Sequence, residues 1–104
     1  MASVVGQRQR VASAEMSVVF TRRALRDLAN IHAYISDENP NAASRMAVEI
    51  LAACDRLELF PERGRPGIRR NTRELTSVWP YVIVYRVLRR NVEILAIWHG
   101  AQDR

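Results

Sequence analysis

Tyr81-Val82-Ile83-Val84-Tyr85-Arg86-Val87-Leu88, then Arg89-Arg90-Asn91, then Val92-Glu93-Ile94-Leu95-Ala96-Ile97-Trp98 is the stretch whose reading decides the fold. Both outer runs are rich in β-branched and aromatic residues, and a short polar tripeptide divides them. Two strands joined by a turn account for that pattern. Apolar side chains fall on both faces of each run, which predicts central strands with neighbours on either side. Immediately before them, Arg73 to Trp79 reads as a further strand. Trp79-Pro80 then lies at a strand-to-strand turn, where a proline removes no ladder hydrogen bond.

Upstream, the period changes. Glu62 to Gly67 holds two glycines and a proline and reads as a turn-rich loop, entered through Phe60-Pro61. Asn39-Pro40 is a helix start: an N-cap, then proline at the first helical position, where its missing N–H costs nothing. The helix that follows is expected to bury Ala43, Met46, Ala47, Ile50, Leu51, Cys54 and Leu57. Asp37-Glu38-Asn39 separates it from an earlier helix whose apolar residues Leu25, Leu28, Ile31 and Ile35 recur at spacings of three and four. Thr21 can cap that helix through its hydroxyl. The short connection predicts an antiparallel helical hairpin. Val18, Val19 and Phe20 within Ser17 to Thr21 form a first strand. Met1 to Glu15 has no apolar period and is expected to be a disordered tail outside a domain spanning 16–104, with Met16 a candidate start of translation. The predicted order is an N-terminal strand, an antiparallel helical hairpin, then a three-stranded antiparallel meander: an α+β domain with the hairpin on one face of a mostly antiparallel sheet.

The chain has 104 residues and a formal net charge of +5, enough for one domain with one modest core. No apolar run is long enough to span a bilayer, and no signal-peptide pattern opens the chain, so a cytoplasmic location without membrane contact is expected. Cys54 is the single cysteine, which excludes a disulfide framework; its place on an apolar helix face makes it a core thiol. All 16 basic residues are arginines. From Pro61 to Arg90 eight of them (Arg63, Arg65, Arg69, Arg70, Arg73, Arg86, Arg89, Arg90) face two acids, Glu62 and Glu74. Such a stretch suits an acidic protein or nucleic acid as partner.

Residues capable of chemistry are few. His32 sits at a helix flank and His99 at the end of the last strand; with no matching spacing they make no metal site, and no metal or cofactor is expected. Arg86 stands in an apolar strand, facing solvent or pairing with Glu93 or Asp103. RNA cleavage needs a base for the 2′-hydroxyl, cations at the phosphate and an acid for the leaving oxygen. Arg73, Arg86 and His99 could supply those roles, if the strands align them.

The element order, together with Ala24-Leu25-Arg26-Asp27-Leu28, Asn39-Pro40-Asn41-Ala42-Ala43, Leu59-Phe60-Pro61-Glu62-Arg63-Gly64-Arg65-Pro66-Gly67, the Tyr81–Val87 strand and the Val92–Asp103 ending, resembles the ParE/RelE superfamily of toxins over nearly all of 16–104. The resemblance implies a bacterial type II toxin held by a cognate acidic antitoxin as a hetero-oligomer. It also implies one of two activities: poisoning of DNA gyrase in the ParE-like branch, or ribosome-dependent cleavage of messenger RNA in the RelE-like branch. The nuclease branch carries an arginine after a tyrosine on the central strand. Here Val82 follows Tyr81, Leu75 stands where a second basic residue belongs, and no tyrosine follows Tyr85. The gyrase branch is therefore expected, with no catalytic residue; the nuclease, and a nontoxic nucleic-acid-binding module, are the alternatives. Arg65, Arg69, Arg70, Arg73, Arg86 and His99 are the expected target contacts, and Arg69 and Arg70 the expected antitoxin contacts, the latter through a C-terminal antitoxin segment that folds on binding.

Overall fold

The structure, a computed structural model, describes residues 16–101. The expected tail Met1–Glu15, as well as Gln102 and Asp103, lie outside the described residues. Each helix starts where the sequence places a cap. Helix α1 runs Arg22–Ser36, and the Thr21 hydroxyl accepts the Ala24 N–H at 3.1 Å. The same hydroxyl donates to the Ile94 carbonyl at 3.0 Å, so the cap also ties the helix start to the last strand. Helix α2 runs Pro40–Arg56, with the Asn39 side chain accepting the Ala42 N–H at 3.0 Å and Pro40 in the first turn.

The five strands are β1 (Ser17–Phe20), β2 (Arg65–Pro66), β3 (Arg73–Leu75), β4 (Tyr81–Val87) and β5 (Asn91–His99). They form one sheet in the order β1-β5-β4-β3-β2. β1 lies parallel to β5, from Ser17 opposite Asn91 to Phe20 opposite Ile94, and every other pair is antiparallel. The two apolar runs are thus the central strands, as their two-sided pattern requires. The helical hairpin covers one face. Ala24, Ile50, Cys54 and Leu57 meet Tyr81, Ile83, Tyr85, Val92, Ile94 and Ile97 there, with Leu28, Ile31, Ile35 and Met46 packed at the margin. Ile94 and Ile97 are an odd number apart, yet both face the core. Val84 pairs with Ala96 and Tyr85 with Ile94, so Leu95 is an extra residue on β5 that resets the alternation.

Three expectations need correction. Leu25 and Leu51 are exposed, at 53% and 40% of their surface; Ala24 and Ala53 take the buried positions beside them. The core cluster takes Ala24 and Ala53, and the two leucines lie on the outward sides of their helices. The strand expected over Arg73–Trp79 stops at Leu75. The Tyr81 N–H turns back to the Val78 carbonyl at 2.9 Å, which closes a turn around Trp79-Pro80 rather than extending the ladder. Finally, the loop over Glu62–Gly67 contains β2: Arg65 and Pro66 pair with Glu74 and Arg73, so the meander has a short fourth strand.

Candidate functional site

The basic segment is built around Tyr85. Its ring is fully buried, and its hydroxyl accepts the Gly64 N–H and donates to the Pro61 carbonyl, both at 2.8 Å. A Cβ on Gly64 would meet that hydroxyl at 2.8 Å and the Glu74 carbonyl at 2.9 Å, so only glycine lets the loop approach. Burial raises the Tyr85 phenol above its ordinary pKa, the Gly64 hydrogen bond and Arg73 opposing, which keeps it a neutral donor. Arg73 donates from Nη1 to the carbonyls of Gly64 (2.6 Å) and Glu62 (3.2 Å). Arg65 grips the buried Glu74 carboxylate through Nη2 at 3.0 Å and Nε at 3.3 Å. The tip beyond is a tight turn: the Gly67 N–H donates to the Thr72 carbonyl at 2.7 Å, and Asn71 takes the left-handed backbone at φ 61° that asparagine tolerates. Ile68, Arg69 and Arg70 project from it, exposed.

Arg86 pairs with Glu93 at 2.7 Å across β4 and β5, one of the two partners its sequence context offered. His99 lies opposite Tyr81 at the other end of the same strand pair. Its ring meets Tyr81 edge-on with centroids 5.4 Å apart, and its Nδ1 accepts the Ala101 N–H at 3.1 Å. Five residue steps along β4, from Tyr81 to Arg86, separate the two positions, about 17 Å at roughly 3.3 Å per residue. Arg73 is in register with Tyr85, on the helix-covered face, whereas alternation puts Val82, Val84 and Arg86 on the other. The register therefore does not bring Arg73, Arg86 and His99 to one point. Val82 and Leu75, where the nuclease branch carries cations, are both buried. Cys54 is buried in the core, and desolvation, with Asp55 adding to it, pushes its thiol up to about 12, so it is no nucleophile. His32 is exposed on α1. Among the described residues no cluster of three or more His, Cys, Asp or Glu side chains is placed to hold a metal, and no helix is long and apolar enough to cross a membrane.

Two hollows flank Trp98. One, of about 350 Å³, lies on the face away from the helices; Val84, Leu95 and Trp98 floor it, and Arg23, Arg69 and Glu74 stand around it. The other, of about 570 Å³, opens between α1 and the end of β5 and is walled by Asn30, Tyr34, Tyr81, Trp98 and His99. Its polar margin is set by a backbone requirement. β1 ends opposite Ile94, so the Ile97 N–H has no strand beside it, and the Asp27 carboxylate accepts it instead at 2.9 Å while pairing with Arg23 at 3.3 Å. Sequence reasoning passed over Arg23, Asp27 and Tyr34 as site residues. The signal was available as a second helical stripe on α1 that carries no core residue.

Residues 18–104 match the family model described as the ParE toxin of the type II toxin–antitoxin system parDE. The chain belongs to the ParE toxin family. Within and around that family, it is 46% identical over 85 residues to a Sinorhizobium fredii protein named as a toxin, Y4kP, covering 81% of this chain and 88% of that one. It is 47% identical over 85 residues to toxin RelE2 of Caulobacter vibrioides, covering 82% and 96%. Among solved structures, the chromosomal ParDE system of P. aeruginosa superposes with a TM-score of 0.74 at 28% identity, over 81% of this chain and 95% of that chain. The α+β arrangement read from the sequence is thus that of a ParE-family toxin of a type II system, and Arg69, Glu74 and Trp98 are positions on its helix-free face.

Proposed function

We propose that this ParE-family chain is a binding-type toxin that poisons DNA gyrase in the cytoplasm without catalysing proton transfer, and that a cognate acidic antitoxin masks it. The dispersal of Arg73, Arg86 and His99 supports the reading most. Cleaving RNA requires base, cation and acid within hydrogen-bond reach of one phosphate. Here Arg73 is spent on loop carbonyls, Arg86 on Glu93 and the His99 Nδ1 on a backbone N–H, on two faces and at two ends of the sheet. Arg65, Arg69, Arg70, Arg73, Arg86 and His99 act in this reading as surface, loop support or both. The antitoxin meets Arg69 and Arg70, whose exposed charges suit an acidic segment that folds on contact.

The nuclease reading draws on the relative named RelE2. Two assays separate them. With purified gyrase and plasmid DNA, the full chain is expected to trap double-strand breaks, undiminished in His99→Ala. With translating ribosomes, primer extension is expected to find no codon-positioned cuts. Cuts that appear with the wild type and fall by about 100-fold or more in His99→Ala, the loss expected of a general base, overturn the gyrase reading.

A further inference from the structure

Arg23, Asp27, Asn30 and Tyr34 follow one another along α1 at steps of four, three and four, and all four line the 570 Å³ cleft. The opposite wall is the end of β5 with Tyr81 beside it. The cleft is therefore lined by four aromatic residues, Tyr34, Tyr81, Trp98 and His99, with one amide and one guanidinium. Among the described residues its one carboxylate is already engaged: Asp27 accepts the Ile97 N–H and the Nε of Arg23, leaving the terminal nitrogens of that arginine for another anion.

The fold alone does not account for this lining. Tyr34 is 77% exposed, so its ring adds little to the core. The first turn of α1 carries Arg22 and Arg23 and no acid, although the helix dipole favours acids there. Residues that work against local stability are expected at functional positions.

We propose that this cleft binds a nucleotide, with the base against Tyr34 and His99, its polar edge at Asn30 and its phosphate at Arg23. Aromatic faces accept any base by stacking. An asparagine amide offers donors and an acceptor to the base edge, and a guanidinium matches a phosphate in shape and charge. Because Nδ1 of His99 accepts the Ala101 N–H, the neutral ring carries its hydrogen on Nε2 and has one further donor to offer. The hollow on the helix-free face shares Arg23 and Trp98 with the cleft and leads on to Arg69, a route for a neighbouring phosphate. A free nucleotide and an unpaired residue of a single strand offer the same chemistry. The inference goes beyond the choice of toxin target and does not depend on it.

Calorimetric titration of the full chain at low salt tests it with four probes: AMP, inorganic phosphate, a single-stranded octamer of DNA and an RNA octamer of the same sequence. AMP is expected to saturate one site and phosphate alone to leave it empty. Tyr34→Ala and Arg23→Gln are each expected to weaken AMP about tenfold, and Arg45→Gln, on the other helix, to change nothing. Tyr34→Ala is the deciding variant, because an exposed ring can be removed without unfolding the domain, as an unchanged melting curve verifies. A strand that binds more tightly than AMP with the same losses assigns the cleft to single-stranded nucleic acid, and the DNA and RNA octamers tell which. Phosphate binding as well as AMP, no saturation by AMP or either octamer at millimolar concentration, or binding that Tyr34→Ala leaves untouched overturns the proposal.

Discussion

Arg73 and Arg70 stand three residues apart in one basic stretch, at the base and at the tip of the same loop. At the base, Arg73 holds two carbonyls and Arg65 holds a buried carboxylate, with the Tyr85 hydroxyl fixing the loop at Pro61 and Gly64. At the tip, Arg69 and Arg70 are exposed and form no ion pair among the described residues. Residue type is the same in both places. What differs is whether a backbone group or a carboxylate lies within reach. A count of arginines therefore overstates the surface available to a partner, since part of the charge is consumed in building the loop that carries the rest.

Substitutions along this gradient sharpen or break the comparison. Ile50→Ala, in the core beneath the sheet, sets the scale at about 2–5 kcal/mol in denaturant unfolding and is expected to exceed every arginine variant. Arg73→Ala comes next, at about 1.5–3 kcal/mol, because it strips a charged donor from two carbonyls of the loop. If Arg70→Ala costs as much, base and tip do not differ as described. Arg86→Ala is expected to cost under about 1 kcal/mol, a difference that shrinks further in high salt, since both partners of that pair are partly solvated. Arg70→Glu should leave stability within about 0.5 kcal/mol while slowing association with an acidic antitoxin in stopped-flow at low salt. An on-rate equal to that of the wild type would remove the tip from the antitoxin interface.

Much of this frame was legible before the structure. Thr21 and Asn39-Pro40 announce their helices because a cap is a local hydrogen-bonding problem with few chemical solutions. The two-sided apolar runs announce central strands for a similar reason. Tertiary choices were less legible. Leu25 and Leu51 have the right spacing for burial, yet the buried positions beside them go to Ala24 and Ala53, and periodicity alone does not rank a leucine against a nearby alanine. Thr76 to Pro80 has strand-forming residues but closes a turn, because Tyr81 bonds back to Val78. The site was least legible of all. Arg73, Arg86 and His99 are close enough in sequence pattern to suggest a set, and only the register shows them on two faces and at two ends. Tyr34 and Asp27 were hidden because their roles depend on where β1 stops.

The parallel pairing of β1 with β5 bears on how the protein is made. Thr21, just past the end of β1, donates to the Ile94 carbonyl across 73 residues of chain. At about 5–20 residues per second, the ribosome adds that stretch in roughly 4 to 15 seconds, and until then the first strand has nothing to lie against. The Asp27 contact to Ile97 waits on the same event. A chain ended before Asn91 is accordingly expected to lack a cooperative thermal transition, helices included. A nascent chain of this kind has no assembled sheet until its last strand arrives, which leaves an interval during synthesis before there is a folded toxin for any partner to meet.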